Sequence, residues 1–146
     1  MDVESQLAGE VRGREPLEQD LDEIRVDEVM HPGIIFSPPE LPLRHAAGLM
    51  ARHQVHAVVV MGDDEEGGLW GLVTDDDIVA AIARRELVGD TVGGIVHEPL
   101  VTVARDDTVV HAAELMQENG TAHLLVIAKG RPVGVVSTLD LARAAA

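Results

Sequence analysis

The chain has 146 residues, a formal net charge of −15 and no cysteine, and 46% of its residues are hydrophobic. This length and apolar content suit one compact domain, and the absence of thiols excludes disulfide bonds and a cysteine nucleophile. The negative charge argues against nucleic acid and anionic membranes as partners, because phosphate groups attract cationic surfaces.

The N-terminal segment carries a large share of the acidity. Residues 1–28 contain ten acidic and three basic side chains, and large apolar residues are few before Leu21, so we predict a flexible tail over residues 1–20. From about Leu21 the pattern predicts a first helix leading into Val29 and Met30. The segment lacks the features of a secretion signal, and no apolar run is long enough to span a bilayer. We therefore expect a cytoplasmic protein without membrane contact.

The remainder of the chain contains one short phrase twice. Gly71–Asp77 and Gly134–Asp140 each read as glycine, two apolar residues, a hydroxyl residue, two further positions and an aspartate. Upstream, His45–Met50 matches His111–Met116 at a shift of 66 residues, and the shift falls to 63 before the phrase. A duplicated unit therefore covers roughly residues 27–146.

Each half predicts the same order of elements, β-α-β-β-α, from its apolar periodicity and turn residues. In the first half the elements are Ile34–Ser37, Leu43–His53, Ala57–Met61, Leu69–Val73 and Asp75–Arg85. In the second half they are Leu100–Val103, Thr108–Asn119, His123–Ala128, Pro132–Val136 and Thr138–Arg143. One unit would leave an apolar sheet face uncovered, whereas two units can cover each other. The sequence predicts an α+β fold of two repeats, over residues 21–86 and 87–146.

The hairpins of the two halves are predicted to have different turns. Residues 62–68 form an acidic, glycine-containing loop of a kind that tolerates insertion, whereas Lys129–Arg131 forms a tight connection. The first hairpin is three residues longer than the second, which accounts for the change of shift.

The repeated phrase suits either a ligand-binding corner or a simple helix cap. Its glycine lets another group approach the backbone closely. Thr74 and Ser137 are expected to begin helices, where unpaired N–H groups and the positive end of the helix dipole attract phosphate. Asp77 and Asp140 could then accept two hydrogen bonds from a ribose diol. A hydroxyl N-cap with an acid in the first turn also stabilises a helix without any ligand.

The doubled unit, the phrase ending each half, and Glu98–Val103 before Asp107–Val109 resemble a pair of cystathionine-beta-synthase (CBS) domains, called a Bateman module. In that family two repeats pack through their sheets around a pseudo-twofold axis and leave two clefts. Adenosine compounds such as AMP, ADP, ATP or S-adenosylmethionine bind there. The resemblance implies a regulatory module that senses such a ligand and signals to an unidentified partner protein. It also implies a homodimer formed through exposed helical faces.

The resemblance also assigns roles to individual residues. It implies that Asp77 and Asp140 hold ribose hydroxyls. It implies that Thr74 and Ser137 contact the ribose or the first phosphate. It implies adenine slots lined by Ile34, Ile35, Leu100, Val101 and Thr102, with Val58 and Leu124. Three adjacent acids, Asp75–Asp77, would repel phosphate unless a cation such as Mg²⁺ intervenes, so we expect the Ser137 corner to bind more readily. The basic residues that could reach a phosphate are Arg52, His53, Arg84, Lys129, Arg131 and Arg143.

Other functions have less support from the sequence. The chain has no P-loop, no glycine-rich dinucleotide fingerprint and no nucleophile elbow, so we expect no enzymatic activity and no required cofactor. Its seven histidines form no evident set of three or four metal ligands, and solvated helix faces explain them better. The main rival is a ligand-free interaction module that acts through dimerisation, and a metal- or redox-linked partner module is a third hypothesis.

Overall fold

The computed structural model describes residues 20–62, 68–96 and 100–146 and has an α+β fold. The helices are α1 Val26–Val29, α2 Leu43–His53, α3 Asp75–Arg84, α4 Val92–Ile95, α5 Val109–Asn119 and α6 Thr138–Ala145. The strands are β1 His31–Pro32, β2 Phe36–Ser37, β3 Ala57–Met61, β4 Leu69–Thr74, β5 Thr102–Ala104, β6 His123–Ala128 and β7 Arg131–Ser137. Both predicted β-α-β-β-α units are confirmed. The tail over 1–19 and loop residues 63–67 lie outside the described residues.

The chain divides into two compact units that regroup the sequence repeats. One unit contains residues 20–32 together with 102–146, and the other contains Gly33–Val101. The segment before each repeat thus folds with the other repeat, whereas the boundary predicted between residues 86 and 87 follows the order of the sequence. We name the units after the repeat whose helices and hairpin they contain, the first-repeat unit and the second-repeat unit.

The second-repeat unit contains a four-stranded sheet in the order β1-β7-β6-β5. β5 runs parallel to β6, and β7 runs antiparallel to both β6 and β1. The first helix predicted from Leu21 is interrupted, because α1 begins at Val26, whose N–H donates to the carbonyl of Asp107 at 2.7 Å. The buried apolar residues of this unit are Val26, Val103, Val109, Ala112, Met116, Leu124, Leu125, Val126 and Val136.

The first-repeat unit contains a three-stranded sheet in the order β2-β3-β4. Its core consists of aliphatic side chains from both helices of the repeat, from the sheet and from α4: Leu43, Ala46, Met50, Val58, Val60, Val73, Ala81 and Val92. The sequence did not predict α4, whose Thr91 side chain accepts a hydrogen bond from the N–H of Gly94. Adjacent residues of β3, Val58 and Val59, are both buried, so both faces of this strand are covered.

The glycine that opens the second copy of the phrase has a structural purpose. Gly134 lies opposite Pro32 in the β1–β7 pair. A β-carbon at Gly134 would lie 2.6 Å from the carbonyl oxygen of His31 and 2.8 Å from the sulfur of Met30. The group that approaches this backbone closely is therefore β1, and any larger residue would push it away.

We expect Gly134→Ala to destabilise the fold by about 1–3 kcal/mol, because the added methyl group overpacks the contact between β7 and β1. Gly48→Ala is the matched control, since a β-carbon there meets nothing within 4 Å on α2. That helical substitution should stabilise the protein by about 0.5–1 kcal/mol. Urea unfolding followed by circular dichroism measures both changes. A Gly134→Ala variant as stable as the parent would contradict the assigned role.

Candidate functional site

The end of the repeated phrase lies at one edge of the sheet in the second-repeat unit. β5 and β6 begin at this edge and β7 ends there, because β7 is antiparallel to its neighbour. Leu124 lies opposite Val136, the residue before Ser137, and Thr102 lies opposite Leu125. The fold therefore gathers three of the predicted site residues, Thr102, Leu124 and Ser137, at the same end of three neighbouring strands.

The first-repeat unit repeats this arrangement independently. Val58 lies opposite Val73, the residue before Thr74. On the other side of β3, the N–H of Val59 donates to the carbonyl of Ile35 at 2.8 Å. Val58 and Thr74 are thus the counterparts of Leu124 and Ser137, and Ile35 precedes the residue that matches Thr102, so each sheet has one such corner.

A reciprocal capping box closes the second corner, which we call the Ser137 corner. The carboxylate oxygen Oδ2 of Asp140 accepts hydrogen bonds from the N–H of Ser137 at 2.8 Å and from its Oγ at 3.1 Å. The N–H of Asp140 in turn lies 3.3 Å from Ser137 Oγ, which accepts from it. Ser137 is therefore the N-cap of α6, as predicted, and the carboxylate is held at the positive end of that helix.

The first corner, the Thr74 corner, has the same cap. Asp77 Oδ2 accepts from the N–H of Thr74 at 2.8 Å and from Thr74 Oγ1 at 3.2 Å. Thr74 ends β4 and caps α3, as predicted. In both corners the phrase therefore forms a helix cap. The cap bonds use oxygen Oδ2 of each aspartate.

The two corners differ in their neighbouring charges. Nδ1 of His56 lies 2.9 Å from Asp75 Oδ2, and the N–H of Asp75 donates to the carbonyl of His56. At the Ser137 corner Ala122 and Thr138 occupy the equivalent positions and make the equivalent backbone bond. His56 is exposed, as expected of a solvated histidine, but it is also paired. The pairing arises because the start of β3 meets the first residue of α3, a contact that helix periodicity does not reveal.

The remaining predicted adenine-slot residues fall into two groups. The side chains of Ile34, Ile35, Leu100 and Val101 are partly exposed. Val58 and Leu124 are completely buried, and Val58 belongs to the core of its unit. Their side chains offer no surface to a ligand, so their contribution to a slot would be to support its wall.

Phe36 is a candidate that the sequence reasoning missed. It stands at the position equivalent to Thr102 under the shift of 66 residues, and its side chain is 47% exposed on β2, directly after Ile35. The sequence could have revealed this candidate, because the shift of 66 residues pairs Phe36 with Thr102, a predicted slot residue. An exposed aromatic ring beside these aliphatic residues offers the flat apolar face that a purine can stack on.

The described residues contain neither a metal-ligand cluster nor a membrane-spanning helix. In that part of the chain, no group of three or more His, Asp or Glu side chains could hold a metal ion. None of the helices described above is long and apolar enough to cross a membrane.

Comparison with known proteins identifies the family. The family model of the CBS domain matches residues 26–84 and 92–146, so the chain belongs to the CBS domain family and contains two CBS repeats. An uncharacterized 17.7 kDa protein of Acidianus ambivalens is 30% identical over 121 residues, which are 82% of this chain and 72% of that protein.

Two solved CBS structures with bound adenosine compounds are similar to this chain. The CBS domain protein PAE2072 from Pyrobaculum aerophilum, complexed with AMP, is 29% identical, with a TM-score of 0.70 and coverage of 80% of this chain and 89% of that one. The CBS domain pair of protein MJ0100, in complex with 5′-methylthioadenosine and S-adenosyl-L-methionine, is 25% identical. It has a TM-score of 0.70 and coverage of 82% and 93%.

We expect Ser137→Ala to lower the free energy of unfolding by about 0.5–2 kcal/mol, because the first turn of α6 loses its cap. Thr138→Ala, one residue into the same helix and exposed, is the control and should change stability by less than about 0.5 kcal/mol. Equal effects of the two substitutions, measured by urea unfolding, would show that the capping box contributes nothing specific.

Proposed function

We propose that this chain is a regulatory module that binds an adenosine-containing compound at its strand-end corners and signals to a partner protein. The observation that carries the proposal is the clamped carboxylate of each corner. Asp77 and Asp140 are both held through Oδ2 at a helix N-terminus. Such a carboxylate can receive ribose hydroxyls without first being ordered, which lowers the cost of binding. AMP and S-adenosylmethionine in similar CBS structures support this class of ligand.

The proposed chemistry divides the ligand among three kinds of group. The ribose diol donates to the aspartate, while a phosphate or other anionic group lies at the helix start beside Ser137 or Thr74, where the positive end of the helix dipole favours it. At the Thr74 corner adenine lies against the aliphatic residues Ile34 and Ile35, and at the Ser137 corner it lies beside Thr102. Signalling follows if the ligand binds one conformation of the module better than another, since only a difference in affinity shifts the populations.

The two corners are proposed to bind unequally. Beside Asp77 stand two further acids, Asp75 and Asp76, whereas Thr138 and Leu139 occupy those places beside Asp140. Repulsion between like charges weakens the binding of a phosphate at the Thr74 corner. Mg²⁺ bound with the nucleotide would moderate this repulsion.

The rival function, a ligand-free dimerisation module, is favoured by one observation. Both capping boxes are complete without a ligand, so neither corner needs an occupant for the stability of the fold. Titration of the protein with adenosine compounds separates the two functions.

We expect isothermal titration calorimetry to detect binding of at least one of AMP, ADP, ATP and S-adenosylmethionine. For that ligand Asp140→Ala should raise the Kd at least tenfold, because the ribose loses its acceptor, and Asp77→Ala should raise it less. Thr138→Ala provides the control, since it changes an exposed residue of the same helix turn and retains both Ser137 and the carboxylate. Absence of binding at millimolar concentration favours the rival function, and equal losses for the two aspartate variants refute the ranking of the corners.

We propose further that the module is a homodimer formed through its helical faces. In the second-repeat unit a groove of about 710 Å³ lies between α5 and α6, with an apolar lining that includes Val109, Ala113 and Leu141. In the first-repeat unit Val79 and Ile82 of α3 are 64% and 57% exposed. Apolar surface of this kind is typical of interaction sites, and a second copy of the chain would cover it.

Ile82→Glu should therefore weaken the dimer at least tenfold in sedimentation equilibrium, because it places a charge in the proposed interface. Val88→Glu is the matched control, since Val88 is also exposed but lies beyond the end of α3. A monomeric parent protein, or equal weakening by both substitutions, would contradict dimerisation through this face.

A further inference from the structure

The second-repeat sheet has another cavity at the edge opposite the Ser137 corner. It lies where β5 and β6 end and β7 begins, and its volume is about 1040 Å³. Four of the eleven lysine and arginine residues of the chain line it: Arg25, Arg105, Lys129 and Arg131. We call it the basic cavity. Its remaining lining includes apolar side chains, among them Val103, Ile127 and Val133.

The Asp27 carboxylate forms ion pairs with two of the four basic side chains that line the cavity. Asp27 Oδ2 lies 2.6 Å from Nη2 of Arg25 and 3.3 Å from Nε of Arg105. The Asp27 side chain is only 13% exposed, whereas the two arginine side chains are about half exposed. A guanidinium group has five N–H donors in a fixed fork, so each arginine keeps donors for a ligand while its position is fixed. Two cations on one anion also leave one positive charge uncompensated.

The other two basic side chains stand on the hairpin between β6 and β7. Within the described part of the chain, neither Lys129 nor Arg131 forms an ion pair. Lys129 and Gly130 both have positive φ, 52° and 73°, as in a tight two-residue hairpin turn, and the sequence predicted a tight connection here. The hairpin therefore presents two uncompensated cations at a defined place.

Acidic residues at the cavity reduce its charge without cancelling it. Asp106 and Asp107 also line the cavity, and Asp107 Oδ2 accepts a hydrogen bond from the N–H of Ala104 at 3.2 Å. Four basic and two acidic side chains line the cavity, which leaves a net positive charge on its lining. Asp27 and Glu28 contact Arg25 but do not line the cavity. In a chain of net charge −15, this local reversal of sign attracts a small anion, while the surrounding field disfavours a polyanion such as RNA.

The basic cavity is too far from the Ser137 corner to serve the same ligand group. Arg131 begins β7 and Ser137 ends it, and six steps along a strand span about 20 Å at roughly 3.3 Å per residue. Lys129 and Arg131 were candidates for reaching a phosphate at the corner, and the fold places them at the opposite edge of the sheet instead.

We propose that the basic cavity is a second ligand site, which binds a phosphate-bearing small molecule. Guanidinium forks match the geometry of phosphate oxygens, and lysine adds a mobile point charge. The volume exceeds that of a phosphate group alone and suits a ligand with an organic body against the partly exposed Ile127 and Val133. The site shares no residue with the two capping boxes, and Thr102 is the one residue of the predicted adenine slots that also lines it.

Inorganic pyrophosphate is the probe, because it has neither ribose nor adenine. Calorimetric titration into the full chain, at low ionic strength without Mg²⁺, should detect binding. Lys129→Gln/Arg131→Gln should raise the Kd for pyrophosphate at least tenfold, since two charge-assisted contacts are lost. The control is Arg44→Gln/Arg85→Gln, which removes the same charge from two exposed residues of the first-repeat unit and should change the Kd less than twofold.

Asp140→Ala distinguishes this inference from the proposed function. If pyrophosphate binds in the basic cavity, its Kd is unchanged in that variant, whereas the Kd for the adenosine compound rises. Absence of pyrophosphate binding, an equal effect of the two double substitutions, or loss of binding in Asp140→Ala would each overturn the inference. None of these outcomes tests adenosine binding at the corners, so one proposal can be refuted while the other stands.

Discussion

The candidate site depends on a single local interaction, the capping box that joins a strand directly to a helix. Ser137 is the last residue of β7 and the N-cap of α6, and Thr74 has the same double position between β4 and α3. No linker residue separates the two elements, so the chain must change direction within one residue. A hydroxyl and an aspartate three positions later satisfy the exposed N–H groups there, which stabilises each helix by about 1 kcal/mol.

The cap and the proposed ligand site are compatible at the Ser137 corner, because the Asp140 carboxylate has two oxygens and the cap bonds use Oδ2. The cap bonds engage Oδ2 of Asp77 and Asp140, and they orient the whole group toward the helix start. A cap that is needed for folding thereby becomes a rigid acceptor for binding. The glycine of the second copy follows from packing as well, since Gly134 leaves room for the backbone of β1. Folding and recognition thus require the same short segment.

Much of this fold could be predicted from the repeat and its periodicity, as α2, β3 and β6 show, because each buries a regular apolar pattern. The two-residue strand β1 and the short helix α4 could not, since their stability comes from partners distant in sequence. His31 pairs with Val135, and Val92 donates to the carbonyl of Leu41. Neither has a periodic signal. For the same reason the sequence did not reveal the His56–Asp75 pair. The sequence analysis also did not place Lys129 and Arg131, although Arg131 begins the strand that Ser137 ends.

The account is tested most directly by a crystal structure of this protein grown with AMP. We predict a ribose whose two hydroxyls lie within hydrogen-bonding distance of the Asp140 carboxylate, with the Ser137–Asp140 cap intact and adenine against aliphatic side chains. AMP bound at a place remote from both Asp77 and Asp140 would contradict the account. So would crystals grown at saturating AMP in which both capping boxes are formed and neither carboxylate contacts a ligand.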